Sequence, residues 1–360
     1  MEFVNLSEAE ASARERLPYQ VYCYYAGGAH DEITLAENRR AYDRIALRPR
    51  VLVDVSRREL STTVLGERIA LPLLVAPMAF QRMAHPDGEL ATARAVEAAG
   101  SIMTLSTLST AAVEDVRAAT SRPLWFQLYV HQDRAATRAL VERVEALGYS
   151  ALVLTVDTPL LGRRERDVRN EFQLPPGITI ANVMPGGSAS LGAVDRDSAL
   201  AAYFAGMHDA SVTWSDLDWL CSTTRLPLLL KGILRADDAA RAAEHGVAGV
   251  IVSNHGGRQL DTAVATICAL PEIAQAVGGR VELLIDGGIR RGTDILKAIA
   301  LGARAVLVGR PVLWGLAAAG ETGVRQVLEL LRDELDLAMA LCGCARLEEI
   351  TPDLVKRSGA

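Results

Sequence analysis

Short apolar segments alternate with longer alanine-rich stretches between residues 71 and 310 of the chain. Most of the apolar segments are continuous runs of valine, leucine and isoleucine, as expected for parallel strands that are covered on both faces. Eight such segments occur, at residues 71–79, 102–107, 124–130, 151–158, 226–232, 249–255, 282–287 and 305–310. The stretches between them predict helices, for example at residues 88–99, 135–147, 236–245 and 293–301.

Eight strand-then-helix units predict an α/β protein whose strands close into a (β/α)8 TIM barrel. An open Rossmann sheet is the alternative arrangement of such units. It is disfavoured because no predicted strand precedes a Gly-x-Gly-x-x-Gly fingerprint, and the sequence contains no Gly-x-x-x-x-Gly-Lys-Ser/Thr loop.

We expect a single domain over residues 1–360. Residues 1–70 are predicted to be an N-terminal helical extension over one end of the barrel, residues 71–320 the barrel, and residues 321–360 C-terminal helices. After the fourth strand, residues 160–212 form a long connection with the loop signals Pro175-Pro176-Gly177 and Pro185-Gly186-Gly187. Such a loop is either a disordered insertion or an active-site lid, and we expect the lid.

The composition is typical of a soluble globular protein. A chain of 360 residues with 50% hydrophobic residues can bury a large core, which excludes a disordered protein. The net charge of −6 provides no electrostatic footprint for nucleic acid or an anionic membrane. No apolar run approaches the roughly 18 residues of a membrane-spanning helix, and the N-terminus lacks the pattern of a signal peptide. The five cysteines lack zinc-site spacing. We therefore predict a cytoplasmic protein with reduced thiols and no metal.

Polar residues lie at the ends of the predicted strands. Catalytic residues of a TIM barrel lie at the carboxyl ends of its strands, whereas its interior is apolar. A ring of polar residues at these ends therefore predicts a site. The ring consists of Ser106, Gln127, Tyr129, Thr155, Asp157, Lys231, Ser253, His255, Asp286 and Arg310.

The last two strand ends are suited to an anion. Glycines at Gly287, Gly288 and Gly309 let backbone N–H groups approach a phosphate, and Arg290 and Arg310 supply positive charge. The alternative is that the glycines serve tight turns and the arginines lie on the surface.

Three further features admit two interpretations each. Lys231, after an apolar run, indicates either an anionic or electron-rich partner or a Schiff-base nucleophile. His255 is either a core histidine or a general base that Asp157 orients. The charged run from Arg163 to Asp167 is either a solvated face or the source of an arginine that binds a substrate carboxylate. Tyr24, by itself, is as consistent with packing as with binding.

Taken together, these residues resemble a known family. The segments that carry the resemblance are Tyr24-Tyr25-Ala26-Gly27-Gly28, Phe126-Gln127-Leu128-Tyr129, Thr155-Val156-Asp157-Thr158-Pro159, Gly162-Arg163-Arg164, Ser253-Asn254-His255-Gly256-Gly257-Arg258-Gln259-Leu260-Asp261 and Asp286-Gly287-Gly288-Ile289-Arg290-Arg291-Gly292. The sequence is similar over nearly its whole length to the FMN-dependent (S)-2-hydroxy-acid oxidases of the glycolate oxidase and L-lactate oxidase type.

The resemblance implies an FMN cofactor. It places the phosphate on the glycines Gly287, Gly288 and Gly309 with Arg290 and Arg310, and Asp286 at the ribityl chain. It places Lys231 beside the N1 and C2-carbonyl side of the flavin, where positive charge stabilises the reduced form. The residues that line the flavin ring would be Pro77, Met78, Ala79, Ser106, Gln127, Thr155 and Ser253.

The resemblance also implies the substrate contacts. Arg164, Arg258 and Tyr24 would hold the substrate carboxylate, and Tyr129 and His255 its hydroxyl. His255 would then take the hydroxyl proton as hydride moves to the flavin, or the α-proton in a carbanion route; both remain open. Asp157 would orient His255 and stabilise its protonated form.

Two positions bear on the substrate. In plant glycolate oxidases Trp is expected at the place of Leu108 and Thr at the place of Met78. Because Leu108 is smaller than an indole, we expect a wider pocket here. We therefore expect L-lactate ahead of glycolate, oxidation to the 2-oxo acid, and reduction of O2 to H2O2. Alternatives are glycolate, mandelate-type substrates, a dehydrogenase that reduces quinone or a carrier protein, and a barrel that binds a phosphorylated metabolite without redox chemistry. By analogy with the family, a homotetramer or homo-octamer is expected.

Overall fold

The computed structural model describes residues 3–182 and 206–357. The chain starts with three helices, α1 (Leu6–Arg16), α2 (Tyr19–Ala26) and α3 (Ile33–Asp43). Three short strands follow, β1 (Ile45–Leu47), β2 (Thr62–Val64) and β3 (Glu67–Ile69). The prediction of a helical extension over residues 1–70 is therefore wrong beyond Asp43.

A tight turn and β-branched residues explain why residues 62–69 form a hairpin of β2 and β3 and not a helix. Leu65 and Gly66 connect the two strands with φ values of 47° and 82°. Two successive residues with positive φ are typical of the tight turns that join antiparallel strands. The β-branched residues Thr62, Thr63 and Val64 before the turn favour a strand over a helix.

Eight parallel strands then form a closed barrel, in which the last strand pairs with the first. They are β4 (Leu73–Val75), β5 (Met103–Ser106), β6 (Leu124–Leu128), β7 (Ala151–Thr155), β8 (Leu228–Ile233), β9 (Gly249–Val252), β10 (Glu282–Ile285) and β11 (Ala305–Val308). Each lies within a predicted strand, apart from Ile233 at the end of β8. The predicted (β/α)8 barrel is confirmed.

Alternate residues along the barrel strands fill two separate cores. Side chains such as Trp125, Val153 and Leu307 pack together inside the barrel, where Val64 and Ile69 of the hairpin join them. The hairpin therefore covers the end of the barrel opposite to the strands' carboxyl ends. The residues between them pack against the helices. Burial of each large aliphatic side chain contributes about 1.5–3 kcal/mol.

Helices surround the barrel. They are α4 (Gly88–Ala98), α5 (Val113–Ala118), α6 (Arg134–Ala146), α7 (Glu165–Arg169), α8 (Trp214–Thr223), α9 (Ala236–Glu244), α10 (Thr266–Val277), α11 (Gly292–Ala300) and α12 (Arg310–Cys342). The four helices predicted above correspond to α4, α6, α9 and α11, with ends that agree within one residue. Helix α12 is interrupted by non-helical backbone at Ala319 and Gly320.

The prediction of helices over residues 321–360 is wrong after Cys342. Gly343, with a φ of 70°, ends α12. Two short 3-10 turns, Leu347–Glu349 and Pro352–Leu354, lead into β12 (Val355–Arg357). This strand pairs antiparallel with β1, with Ile45 opposite Arg357. The pairing partner lies about 310 residues away in sequence, so local pattern cannot reveal it.

Parts of the predicted lid are described. Residues 160–182 include α7, and residues 206–212 return towards α8. Residues 183–205 lie outside the described residues, and the lid remains a prediction. Within the two described ranges, no helix combines the length and apolar character needed to cross a membrane.

Candidate active site

A cleft with about 1080 Å³ of empty volume lies at the carboxyl ends of the barrel strands. Residues at or after all eight strand ends line it, together with Tyr24 and Tyr25 of α2. The predicted residues that line it are Tyr24, Pro77, Met78, Ala79, Ser106, Gln127, Tyr129, Thr155, Arg164, Lys231, His255, Arg258, Asp286, Gly287, Gly288, Arg290, Gly309 and Arg310. The remaining two, Asp157 and Ser253, contact His255 and Lys231.

His255 and Asp157 form a hydrogen-bonded pair at the ends of two strands. The Nδ1 atom of His255 lies 2.9 Å from Oδ1 of Asp157. A carboxylate at Nδ1 holds the proton there and leaves Nε2 with a lone pair. Burial lowers the pKa of His255 below its ordinary value, although the charge of Asp157 acts in the opposite direction. For Asp157, burial acts to raise the pKa, but the charge of His255 and its hydrogen bond lower it overall. The pair is therefore suited to accept a proton at Nε2.

The backbone at His255 adopts a left-handed conformation with a φ of 58°. This region is uncommon for residues other than glycine and is found mainly in turns and functional sites. Hydrogen bonds hold the turn, since the backbone N–H of His255 donates to Oγ of Ser253 at 3.1 Å. Oδ1 of Asn254 accepts the N–H of Gly257 at 3.2 Å.

Two arginines share the side of the cleft formed by Tyr24. The guanidinium of Arg258 donates to the carbonyl oxygens of Tyr24 and Gly27 at 2.6 and 2.8 Å. Arg164 is buried, and its Nε has no hydrogen-bond partner among the described residues. Burial, followed by repulsion from Arg258, lowers the pKa of Arg164 to about 10. Both guanidinium groups lie over the ring of Tyr24, at 6.0 and 5.0 Å. This arrangement is suited to a carboxylate.

The structure distinguishes Arg164 from its neighbours. Arg163 is exposed, whereas Arg166 forms an ion pair with Glu32. The ring of Tyr24 stacks on Phe172 with a centroid distance of 4.5 Å. Tyr24 therefore packs against the segment after α7 and also lines the cleft.

Lys231 is paired on both sides. Its Nζ lies 3.1 Å from Oδ2 of Asp286 and 2.9 Å from Oγ of Ser253. Burial acts to lower the pKa of Lys231, but the charges of Asp286 and Asp157, together with the hydrogen bond to Asp286, outweigh it and raise the pKa overall. A protonated amine has no lone pair, so the Schiff-base interpretation is disfavoured.

Arg290 and Arg310 also line the cleft, and Arg310 shares the carbonyl oxygens of Tyr25 and Gly27 with Arg258. Burial is the largest cause that lowers the pKa of each, and for Arg310 the charges of Arg258 and Arg290 add to it. Gly288 beside them has a φ of 82°, and a Cβ there would lie 2.0 Å from the carbonyl oxygen of Asn38. Only glycine allows the backbone to take this path. Such a glycine turn beside two partly buried cations is suited to a phosphate.

Unpartnered buried atoms provide a test of whether the cleft fits FMN. Among the described residues, Nε2 of Gln127 and Oδ1 of Asp286 have no hydrogen-bond partner. A flavin ring and a ribityl chain offer the acceptors and hydroxyl groups that such atoms need. The two partly buried cations at the glycine turn supply positive charge for the phosphate. The residues present therefore fit FMN.

Two residues near the site were not predicted to take part in it. A Cβ on Gly232, at the end of β8, would lie 2.6 Å from Cβ of Asp157. Gln259 lies within a segment that carries the resemblance, but its contacts with residues 157–162 are visible only in three dimensions.

Comparison with known proteins assigns the family. The model of the family described as FMN-dependent dehydrogenase matches residues 13–357. The chain belongs to this family. An L-lactate oxidase from Nostoc sp. (strain PCC 7120 / SAG 25.82 / UTEX 2576) is 57% identical over 96% of each chain. Glycolate oxidase 3 from Arabidopsis thaliana is 54% identical over 99% of this chain and 96% of the relative. The crystal structure of a mandelate oxidase with (S)-4-hydroxymandelic acid superposes with a TM-score of 0.92 at 45% identity, over 98% of each chain.

These comparisons confirm the predicted family, the FMN cofactor and the class of enzyme, an FMN-dependent oxidoreductase of 2-hydroxy acids. They exclude the non-redox barrel that binds a phosphorylated metabolite. The relatives differ in the substrate that their names give.

Proposed function

We propose that this enzyme oxidises a short (S)-2-hydroxy acid, with L-lactate ahead of glycolate, to the 2-oxo acid and reduces O2 to H2O2. One observation carries the proposal. The His255–Asp157 pair and the cationic pair Arg164 and Arg258 line the same cleft. A 2-hydroxy acid presents a carboxylate and a hydroxyl group on adjacent carbons, so both pairs can contact one small substrate.

The proposed roles follow from these contacts. Arg164, Arg258 and Tyr24 hold the carboxylate. Burial is the main cause that raises the pKa of Tyr129, so its hydroxyl stays protonated and donates a hydrogen bond to the substrate oxygen. His255 accepts a proton at Nε2, and Asp157 stabilises the imidazolium that forms.

FMN, when bound, supplies the acceptor for the two electrons. In the proposed arrangement the ribityl chain contacts Asp286, and the phosphate contacts Gly287, Gly288, Gly309, Arg290 and Arg310. The flavin ring contacts Lys231 and is lined by Pro77, Met78, Ala79, Ser106, Gln127, Thr155 and Ser253. The protonated Lys231 would stabilise negative charge on the reduced cofactor.

Leu108 supports the preference for L-lactate. It is buried and lines the cleft, where its branched aliphatic side chain provides an apolar wall. Such a wall suits the methyl group of lactate better than the hydrogen of glycolate. One methyl group changes the discrimination by only about 1–3 kcal/mol, so we expect both acids to react.

The test is anaerobic flavin reduction followed by readmission of oxygen. Purified yellow protein is mixed with L-lactate, glycolate or (S)-mandelate without air, and kcat/KM is then measured for each acid. We expect bleaching by L-lactate, recovery in air with one H2O2 per substrate, and kcat/KM highest for L-lactate. Bleaching without recovery would identify a dehydrogenase, and higher kcat/KM for glycolate or mandelate would refute the preference.

We also propose a homotetramer or homo-octamer. Light scattering coupled to size-exclusion chromatography would measure its mass, and a monomer would contradict the proposal.

A further inference from the structure

Gln259 connects two segments that line the cleft, the one after β7 and the one after β9, and no role has been assigned to it above. It follows Arg258 on the loop after β9, and its side chain is 8% exposed. Its Nε2 donates to the carbonyl oxygens of Asp157 and Leu160, at 3.0 and 2.9 Å. Its Oε1 accepts the backbone N–H of Gly162 at 3.1 Å. One side chain thus makes three hydrogen bonds to residues 157–162.

Residues 156–164 belong to no helix or strand, because β7 ends at Thr155 and α7 begins at Glu165. This segment carries Asp157 near its start and Arg164 at its end. The loop that carries Gln259 also carries His255 and Arg258. Gln259 therefore joins the segment that carries Asp157 and Arg164 to the loop that carries their partners His255 and Arg258.

Electrostatic repulsion opposes this arrangement. Arg164 and Arg258 are both close to the ring of Tyr24, and like charges at buried positions repel each other. The segment is nevertheless packed tightly, since a Cβ on Gly162 would lie 2.4 Å from the carbonyl oxygen of Arg258. The side chain of Gln259 supplies an attractive contact at Gly162 that counteracts the repulsion.

We propose that Gln259 is a positioning residue that fixes residues 157–162 against the His255 loop, and thereby sets the spacing between Arg164 and Arg258. Its effect on substrate binding rests on the proposed function. Its effect on the segment itself does not, because the three hydrogen bonds exist without a substrate.

The variants Gln259→Leu and Gln259→Glu separate the three hydrogen bonds. Leucine has a similar size and removes all of them. Glutamate keeps an acceptor for Gly162 but places a carboxylate against two carbonyl oxygens. Because Gln259→Leu loses three buried hydrogen bonds, we expect its KM for the 2-hydroxy acid to be about 10- to 100-fold higher than that of the wild type. We expect a smaller decrease in kcat and unchanged FMN affinity, measured by quenching of flavin fluorescence.

Hydrogen exchange measures how firmly Gln259 fixes residues 157–162 and does not rely on activity. In the FMN-loaded Gln259→Leu variant, we expect amide exchange in residues 156–164 to be at least about tenfold faster than in the wild type. Gln326→Leu is the matched control. The Nε2 atom of Gln326 also donates to a backbone carbonyl, that of Phe3 at 2.9 Å, but it does so away from the cleft. We expect this control to keep the wild-type KM and the wild-type exchange at residues 156–164.

Three results would overturn the proposal. The first is wild-type exchange and wild-type KM in Gln259→Leu. The second is a lower Tm with both quantities unchanged, which would make Gln259 a general stabilising residue. The third is faster exchange with an unchanged KM. If no 2-hydroxy acid reduces the wild-type flavin, the proposed function fails, and the exchange measurement still decides whether Gln259 fixes the segment.

Discussion

At the scale of single residues, the chemistry of the cleft depends on how each charged side chain is paired before a substrate binds. His255 and Lys231 each have a carboxylate partner. Only Nη1 of Arg258 donates to backbone carbonyl groups, whereas Arg164 has a buried Nε without a hydrogen-bond partner among the described residues. A substrate carboxylate would therefore give the buried Nε of Arg164 an acceptor.

Replacement of Asp157 tests the proton acceptor. The charge of Asp157 raises the pKa of His255, so Asp157→Asn leaves that pKa even lower. The imidazole of His255 then stays neutral to lower pH, and the acid limb of the kcat/KM profile moves to lower pH. At the same time kcat falls by about 100-fold or more, because the imidazolium loses its partner. Asp218→Asn is the control, since Asp218 pairs with the Nδ1 atom of His245 at 2.7 Å outside the cleft. An acid limb that moves to higher pH would contradict the assignment.

Replacement of Arg164 tests the carboxylate site. Lysine keeps the charge of arginine but cannot make two parallel hydrogen bonds. We expect Arg164→Lys to raise KM by about 10- to 100-fold, with a smaller change in kcat. Arg169→Lys provides the comparison, because Arg169 is largely exposed and pairs with Glu165 on the same helix. Equal effects of the two substitutions on KM would rule out the assigned role.

Leu108 tests the proposed substrate preference. An indole is larger than an isobutyl group, so Leu108→Trp narrows the cleft at this wall. The ratio of kcat/KM for L-lactate to that for glycolate is expected to fall by about tenfold. Because the ratio compares two substrates on one variant, general damage to the enzyme cancels. A constant ratio would mean that this wall does not select the substrate.

At the scale of secondary-structure elements, the ends of the barrel strands determine which side chains meet. Asp157 follows β7, and Gly232 lies near the end of the neighbouring strand β8. A side chain at position 232 would collide with Asp157. The absence of a side chain at Gly232 on β8 therefore leaves room for Asp157 after β7.

Gly232→Ala tests this close approach. Both Gly232 and Gly246 have positive φ values, 112° and 75°, so an alanine strains the backbone at either position. Only at Gly232 does the new Cβ approach Asp157, since nothing lies within 4 Å at Gly246. We expect a lower Tm for both variants, with the larger decrease in Gly232→Ala because of the collision, and a decrease in kcat of about tenfold or more for Gly232→Ala alone. A kcat decrease in Gly246→Ala of the same size would show that strain, rather than contact with Asp157, is responsible.

The sequence predicts the barrel well because its strands are buried on both faces and its polar residues interrupt that pattern at the strand ends. The residue pattern alone does not distinguish Arg164 from Arg163, because neighbouring arginines differ only in the direction of their side chains, and only the family resemblance selects Arg164. The function of Gln259 is equally hidden, since its partners lie about 100 residues away. The turn at Leu65-Gly66 is different, as its glycine and the β-branched residues before it could have indicated the hairpin.

At the scale of the whole molecule, the fold encloses several like charges in one cleft. Arg164, Arg290 and Arg310 all have lowered pKa values, with burial as the largest cause. A fold that desolvates cations loses stability unless anions compensate for their charge. The anions expected here are the cofactor phosphate and the substrate carboxylate.

Removal of FMN tests this dependence. We expect a Tm increase of about 3–4 °C when FMN is added to the apoprotein at a hundredfold excess over its Kd. Inorganic phosphate alone should give a smaller increase, because it fills only the site of Arg290 and Arg310. Sodium chloride at the same ionic strength is the control. Equal effects of phosphate and chloride would indicate general screening rather than a phosphate site.

The pairing of β1 with β12 has a consequence for synthesis of the protein on the ribosome. Helix α1 packs against α12, and the ring of Tyr22 lies 5.5 Å from that of Trp314. Arg310 also donates to the carbonyl oxygen of Tyr25. At about 5–20 residues per second, translation takes roughly 15–60 s to proceed from α2 to β12. Throughout this interval β1 lacks its partner strand, and Tyr22 lacks Trp314 until most of the chain has been made. The N-terminal elements therefore reach their final positions only after β12 has been translated.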